Sequence, residues 1–300
     1  MEDQTIREKY RRITEKTKNT LCAYKSCIAA YLLGSMSHDQ LWEWSDIQIA
    51  VILDDGYKGK SYYSLYEDDV WLALNIYTLS AFREFIRTVR ADDFMWKAFY
   101  KSTKLFSKDF MLDEEMEDAF YIGDVDQQKE MLLGFSGAVY YLNKAEKNFY
   151  VKGNLENTIY NIPYIAENIA WIEIFKNREI PEREVIPQGK KLNPEVFEKI
   201  YEPLFQGITE TNKVKGILEY CVSYLMENTE PIYQPVLAYM EKRGNLEGFC
   251  YETRPHGFGI NYEWLVRCGI AERYGIPEKI SFLKGAERLG YRWKGVSKKP

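Results

Sequence analysis

The 300-residue chain has few of the residues that build disulfide networks or metal centres. It contains 5 Cys and 2 His, and no Cys-x-x-Cys pair. The cysteines are Cys22, Cys27, Cys221, Cys250 and Cys268. Their odd number and wide spacing argue against a disulfide framework and against a structural zinc site. We therefore predict reduced thiols, most of them buried, as is typical of a cytoplasmic protein.

Long apolar runs are also missing. No stretch approaches the ~20 residues that a helix needs to cross a bilayer. Residues 1–20 are charged and lack the apolar centre of a signal peptide. The formal net charge of −5 argues against nonspecific binding of nucleic acid by the whole chain. These absences predict a soluble, cytoplasmic protein with no membrane partner and no nucleic-acid substrate.

Two well-known phosphate-binding motifs do not occur. The sequence has neither the Gly-x4-Gly-Lys-Ser pattern of the P-loop nor the Gly-x-Gly-x-x-Gly pattern of dinucleotide-binding folds. The chain is rich in hydrophobic residues, which make up 46% of the sequence, and 15% of its residues are aromatic. This composition can bury a sizeable core, and the length favours two or three compact units.

Hydrophobic periodicity divides the chain into three regions. After an exposed basic helix over 4–20, a short apolar run predicts a strand over 28–33 and a run rich in β-branched residues predicts another over 47–53. Alternating apolar residues predict a third strand over 70–77. Apolar spacings of three and four then predict helices over 127–149, 154–178 and 195–226. From these patterns we place domain boundaries near residues 115 and 230.

The last region, 231–300, is basic and differs in pattern. We predict helices over 233–243 and 262–274, followed by a β-hairpin over 279–293, which together suggest a small winged-helix-like unit. Its basic residues favour two alternatives, contact with a nucleic-acid backbone or packing against other parts of the protein or a second copy. Glu263 and Glu272 share the predicted recognition helix and favour the packing role.

One constellation carries specific chemistry. Gly34-Ser35 is followed by ten residues and then by Asp46-Ile47-Gln48, so that a Gly-Ser turn ends one predicted strand and Asp46 begins another. A glycine lets the backbone approach a phosphate closely, and Ser35 offers a hydroxyl and an N–H to phosphate oxygens. Positions 46 and 48 share one face of a strand. Two carboxylates at those positions would hold magnesium.

This pattern resembles the motif of the DNA polymerase beta-like nucleotidyltransferase superfamily, which is Gly-Ser, ten residues, then Asp-x-Asp or Asp-x-Glu. Ser45-Asp46-Ile47 matches the usual Ser-Asp-Ile. The helical region that follows resembles the antibiotic-modifying branch of aminoglycoside and lincosamide nucleotidyltransferases. The resemblance implies an α+β fold, with a mixed-sheet nucleotidyltransferase domain over 1–115 followed by a helical-bundle domain over 116–230. The winged-helix-like unit over 231–300, predicted from its own pattern, completes the expected architecture.

The resemblance also implies an activity. The expected reaction transfers a nucleoside monophosphate from a nucleoside triphosphate to a hydroxyl of a small molecule, with magnesium as cofactor. Gly34, Ser35 and Ser45 would then bind the nucleotide, and Asp46 would bind the metal. A glutamate of the helical region, Glu167 or Glu173, would act as the general base, although a solvated side chain is the alternative for each.

The sequence departs from the family pattern at the metal site. Position 48 holds Gln48 instead of a second carboxylate, and an amide is a weak magnesium ligand. The third carboxylate is expected on the strand 70–77, where the in-register candidates are Ala73 and Asn75. Asp68 or Asp69 could substitute only with another strand register. Two hypotheses therefore stay open, a weak or inactive nucleotidyltransferase and a non-catalytic nucleotide-binding or regulatory protein, each of unknown oligomeric state.

Overall fold

The chain forms two compact units, Met1–Tyr121 and Ile122–Pro300. The computed structural model describes residues 2–38, 41–88, 94–207, 210–249, 259–280, 283 and 285–295. The division therefore falls six residues after the predicted boundary at 115. The predicted boundary at 230 lies inside a continuous helix of the second unit.

The first unit is built around a five-stranded sheet. Its elements are α1 (Glu2–Ala23), β1 (Cys27–Leu33), β2 (Ile47–Leu53), β3 (Tyr62–Glu67), β4 (Val70–Thr78), α2 (Leu79–Thr88), α3 (Phe94–Tyr100), β5 (Thr103–Ser107) and α4 (Phe110–Ala119). The strand order is β3-β4-β2-β1-β5, with β2 and β4 parallel and the other neighbouring pairs antiparallel. The three predicted strands are confirmed as β1, β2 and β4.

Both faces of the central strands are buried. On one face, Ile47 and Ile49 pack with Tyr10 and Ile13 of α1. On the other face, a second cluster brings Phe82 of α2 against the sheet, together with residues of α3 and α4. The helix predicted over 4–20 is present as part of α1, but the prediction that it is exposed is wrong for one side of it. Tyr10 and Ile13 are three residues apart and therefore lie on one side of the helix, facing the sheet.

The second unit is mainly helical, as predicted. It contains α5 (Asp124–Glu146), α6 (Leu155–Lys176), α7 (Val185–Leu192), α8 (Pro194–Ile200), α9 (Thr211–Arg243), α10 (Glu263–Arg267), and the two strands β6 (Ala271–Pro277) and β7 (Glu287–Trp293). A single core joins residues of α5, α6, α8, α9 and α10. The helices predicted over 195–226 and 233–243 are parts of α8 and of the long helix α9.

The winged-helix-like unit is not confirmed. The predicted helix over 262–274 ends at Arg267, and the next residues form β6, which pairs with β7. Gly269 adopts a left-handed conformation with φ of 74°, which stops the helix. Trp264 and Leu265 are buried in the same core as the long helices. The described residues of this segment therefore belong to the helical unit.

Among the described residues of this segment, four arginines make ion pairs: Arg267, Arg273, Arg288 and Arg292. Arg267 makes two hydrogen bonds of 2.7 Å to Glu146 of α5. Arg273 pairs with Glu263, and Arg292 lies 3.6 Å from Glu272. Charges neutralised within the protein have less attraction for phosphates, so these pairs favour the packing alternative over nucleic-acid contact.

Within the described residues, no helix is both long enough and apolar enough to span a membrane.

Candidate nucleotide site

The Gly-Ser turn lies directly after β1. Gly34 has φ of 74°, a left-handed conformation that side-chain-bearing residues seldom adopt. A 3₁₀ turn over Gly34–His38 follows, in which the Ser37 hydroxyl donates to the Gly34 carbonyl at 2.7 Å. Ser35 lies in this turn and is partly exposed. The turn therefore presents a hydroxyl and backbone N–H groups where β1 ends.

Asp46 and Gln48 lie beside this turn. Gln48 pairs with Leu33, the residue before Gly34, in the antiparallel ladder of β1 and β2. A Cβ atom added to Gly34 would lie 3.6 Å from the Gln48 Cδ. The structure thus brings Gly34 and the Asp46-Gln48 pair together, as the motif predicted.

The Asp46 carboxylate already has an internal partner. The Gln48 amide nitrogen donates to Asp46 Oδ2 at 3.0 Å and lies 3.2 Å from Oδ1. Both side chains are partly buried, Asp46 directly before β2 and Gln48 within it. In place of two carboxylates that repel each other, this chain has one carboxylate held by a neutral amide. The pair carries one negative charge instead of two.

Tyr10 is a residue of the site that sequence reasoning missed. Its hydroxyl donates to the Ser45 carbonyl, and its side chain is 3% exposed. Burial, with a smaller contribution from the Asp46 carboxylate, raises the Tyr10 pKa. Tyr10 thereby holds the backbone one residue before Asp46. The spacing of three residues between Tyr10 and Ile13 is the sequence signal that both lie on one buried side of α1. The sequence alone does not show which strand that side of the helix contacts.

Ser45 also fixes the loop that leads into β2. Its hydroxyl accepts from the Trp42 N–H at 3.2 Å, and its own N–H donates to the Trp42 carbonyl at 3.0 Å. The indole side chains of Trp42 and Trp44 are 62% and 74% exposed. Ser45 therefore acts here as a turn residue, while both indoles remain accessible to a planar ligand.

The register of β4 settles what lies beside Gln48. Ala73 pairs with Gln48, and Asn75 pairs with Ala50, in the parallel ladder of β2 and β4. These are the in-register candidates that the sequence predicted, and neither carries a carboxylate. Ala73 is also 4% exposed, so little room is left at that position.

Asp69, the predicted substitute, lies in the turn between β3 and β4. Asp68 and Asp69 both adopt positive φ, of 50° and 60°. The Asp69 carboxylate accepts from the Tyr66 hydroxyl at 3.0 Å and lies 3.9 Å from the Lys9 ammonium. In the ladder of β2 and β4, Ile47 pairs with Leu72 and Gln48 pairs with Ala73. Asp69 comes before these residues, so it does not occupy the position beside Gln48.

The side chains around Asp46 limit which magnesium arrangement this site could hold. Among the described residues, no group of three or more His, Cys, Asp or Glu side chains could hold a metal ion. In nucleotide sites Mg²⁺ is commonly bound by one or two carboxylates together with phosphate oxygens and water. Asp46 fits that minimal arrangement for a single ion. The residues do not fit a pair of ions bridged by two carboxylates.

The two candidate bases have different environments on α6. Glu173 is 3% exposed; it accepts from the Tyr224 hydroxyl at 2.6 Å and lies 3.5 Å from the Lys176 ammonium. A buried carboxylate with these partners serves the packing of α6 and α9. Glu167 is exposed. The role of general base stays a prediction, and Glu167 is the glutamate whose carboxylate is accessible.

Comparisons with known proteins support the nucleotidyltransferase type of the first unit. A family model described as polymerase beta, nucleotidyltransferase matches residues 15–111. No curated protein sequence matches the chain significantly. Among solved structures, the chain is similar to a nucleotidyltransferase-like protein from Exiguobacterium sibiricum 255-15. Sequence identity is 14% and the TM-score is 0.62, over 96% of this chain and 99% of that chain.

The family match includes β1, the Gly-Ser turn, Asp46 and β4. It supports the predicted superfamily for this part of the chain, and the α+β fold with a mixed nucleotidyltransferase-type sheet is confirmed. At 14% identity, the similarity to the solved structure shows a shared fold and nothing about substrates. Neither comparison distinguishes the antibiotic-modifying branch from other branches.

Proposed function

We propose that this protein binds a nucleoside triphosphate with magnesium at the end of β1 and the start of β2, and that it is a nucleotidyltransferase of weak activity. The acceptor would be a hydroxyl of a small molecule. The family match over residues 15–111 supports the nucleotide. The observation that carries the proposal is the adjacency of the Gly34 turn to Asp46.

Each residue has a physical role in this proposal. Gly34 lets the backbone turn without a side chain, so phosphate oxygens can approach the N–H groups of the 3₁₀ turn. The Ser35 hydroxyl donates to a terminal phosphate oxygen. Asp46 holds the metal, which neutralises phosphate charge when it is bound. Gln48 orients Asp46 but adds no charge, so this site would hold the metal less strongly and would catalyse transfer weakly.

The proposal is tested first by isothermal calorimetry with ATP, GTP, CTP and UTP, each with and without magnesium. We expect one triphosphate to bind, with magnesium raising its affinity. Asp46→Asn removes the site's carboxylate and should abolish the magnesium effect. Asp54→Asn, at the other end of β2, is the matched control and should bind as the unaltered protein does. Failure of all four nucleotides to bind would refute the proposal.

A second candidate function is nucleotide binding without catalysis. It is favoured by the hydrogen bonds that Gln48 donates to Asp46 and by Ala73 as the neighbour of Gln48. In this alternative the bound nucleotide would act as a signal.

Gln48→Glu separates the two candidates. A second carboxylate should raise magnesium-dependent release of pyrophosphate, in the presence of a panel of hydroxyl acceptors, by about tenfold, because it adds negative charge at the metal. Without magnesium, the two carboxylates should repel each other and lower the melting temperature, and magnesium should restore it. Gln48→Leu is the control. A variant that folds and binds nucleotide but releases no pyrophosphate would favour the non-catalytic candidate.

A further inference from the structure

Strand β3 forms one edge of the five-stranded sheet. It pairs with β4 on one side, and within the described residues no strand pairs with it on the other. An open edge presents unpaired N–H and C=O groups to any extended chain, so proteins usually interrupt it with a bulge, a proline or a lysine, or cover it. The ladder of β3 and β4 is regular, and residues 62–67 contain neither proline nor lysine. This edge therefore calls for a cover.

The hairpin of β3 and β4 fixes which backbone groups face outward. Its turn has two residues, so Glu67 and Val70 on either side of the turn are a hydrogen-bonded pair. The Ile76 N–H donates to the Ser61 carbonyl at 2.8 Å, in agreement with this pattern. Because bonded positions alternate along a strand, the odd-numbered residues of β3 bond to β4. The N–H and C=O groups that face outward belong to Tyr62, Ser64 and Tyr66.

The side chains along this edge are exposed and largely apolar. Tyr62 and Tyr66 lie on one face of the sheet and are 50% and 74% exposed. Trp71, which pairs with Tyr66 across the hairpin, extends this surface and is 58% exposed. Leu65 lies on the other face and is also exposed. An apolar border along an open edge is typical of a protein–protein contact.

Two copies of β3 fit each other as an antiparallel pair. Outward-facing residues of one copy must meet outward-facing residues of the other, so the numbers of two facing residues add to an even number. Of the registers that this rule allows, the one with Ser64 of both copies on the two-fold axis covers most of the strand. It sets Tyr62 opposite Tyr66 of the second copy, and Tyr63 opposite Leu65 of the second copy. Aromatic cross-strand pairs stabilise antiparallel strands.

Charge is complementary in the same register. It brings the exposed Lys60, which precedes β3, opposite Asp68 of the second copy, which follows β3. The Asp68 carboxylate already contacts Arg12 of its own chain, but the Asp68 side chain is 50% exposed and can accept a second cation. A parallel pair would instead set the two Lys60 side chains side by side. Charge therefore favours antiparallel pairing of two identical edges.

We propose that the outer edge of β3 is a dimer interface, at which β3 of a second copy of this chain pairs antiparallel about a two-fold axis at Ser64 and joins the two sheets into one. Such a contact closes after two copies, so it covers both open edges at once. The proposal holds whether or not the first unit binds a nucleotide.

Sedimentation equilibrium of the full-length protein over a range of concentrations tests the stoichiometry. We expect a reversible equilibrium of monomer and dimer. Ser64→Lys sets two ammonium groups opposite each other on the axis, so it should raise the dissociation constant of the dimer about tenfold or more. Ser61→Lys is the matched control, because residue 61 faces Glu67 of the second copy, and its dimer should be at least as tight as that of the unaltered protein. Circular dichroism should show that both variants fold, since both serines are exposed.

Cross-linking tests the register. Residues of a hydrogen-bonded pair on antiparallel strands have Cα atoms about 5.5 Å apart, within the range of a disulfide. With oxidised glutathione as the oxidant, Ser64→Cys should therefore form a disulfide-linked dimer. Ser61→Cys should not exceed the background that the native cysteines give in the unaltered chain.

A chain that stays monomeric at every concentration would overturn the proposal and would leave the edge to an extended segment of another protein. A dimer that Ser64→Lys does not weaken, or that Ser64→Cys does not cross-link above background, would overturn it as well, because such a dimer would use another surface or another register.

Discussion

At the scale of single residues, the candidate nucleotide site depends on a tyrosine from a distant part of the sequence. Tyr10 is 35 residues before Ser45, yet its hydroxyl donates to the Ser45 carbonyl. This bond fixes the backbone that carries Asp46. Neither Tyr10 nor α1 belongs to the Gly-Ser motif, so the motif is only part of what positions the carboxylate.

Tyr10→Phe tests this support. The substitution removes one hydrogen bond and leaves the buried ring in place, so we expect the free energy of unfolding to fall by ~1 kcal/mol. Magnesium-dependent nucleotide affinity should also fall, because the Ser45 backbone is less restrained. Urea denaturation and calorimetry measure the two effects. Tyr24→Phe should change neither quantity, and a Tyr10→Phe variant as stable as the unaltered protein would argue against the role given to this bond.

At the scale of elements, α9 keeps its length despite two internal prolines. Pro235 has no N–H, so the Pro231 carbonyl one turn earlier lacks its normal helical partner. The Gln128 amide of α5 donates to that carbonyl at 3.0 Å and to the Ile232 carbonyl at 2.7 Å. A side chain of one helix thus replaces the missing bond of another and links α5 to α9.

Gln128→Ala should lower the free energy of unfolding by about 1–2 kcal/mol, because it leaves the Pro231 carbonyl without this donor. Pro235→Ala restores the N–H that the Pro231 carbonyl lacks, so the double variant should regain much of the lost free energy of unfolding. The measurement is urea denaturation of four proteins: the unaltered chain, Gln128→Ala, Pro235→Ala and the double variant. Strictly additive effects would show that Gln128 and Pro235 are not coupled.

At the scale of the whole molecule, buried tyrosines make the folded protein less stable at alkaline pH. Burial raises the pKa of Tyr31 in the first unit and of Tyr224 and Tyr233 in the second. A group whose pKa is raised on folding contributes stability that is fully present below its unfolded pKa, here ~10. Above that pH the unfolded chain loses protons that the folded chain keeps, so folding becomes less favourable.

We therefore expect the free energy of unfolding to fall above pH ~10, with each buried tyrosine contributing up to ~1.4 kcal/mol per pH unit. Ultraviolet titration should show fewer ionised tyrosines in the folded protein than in the urea-unfolded protein at the same pH. Tyr233→Phe should make the decline in stability shallower. Identical folded and unfolded titration curves would contradict the buried, protonated state of these phenols.

The sequence by itself determined the local elements and the motif. Apolar runs predicted β1 and β2, because strands buried on both faces need apolar side chains at every position, and alternating apolar residues predicted β4. Fixed spacing predicted that Gly34 lies near Asp46, and the register of 70–77 predicted Ala73 beside Gln48. The strands follow from short-range backbone geometry, which neighbouring residues largely dictate, whereas the placement of Ala73 beside Gln48 rested on the resemblance to the family motif.

Only the tertiary structure decided the contacts between distant residues. It placed the Tyr10 hydroxyl against the Ser45 carbonyl and the Tyr224 hydroxyl against the Glu173 carboxylate. It also buried the Tyr31 hydroxyl without a hydrogen-bond partner among the described residues. It also replaced the second half of the predicted helix 262–274 with β6, because pairing with β7 satisfies that backbone. A sequence pattern shows that a side chain is buried, but which group meets it is set by packing between elements, and no local spacing encodes that partner.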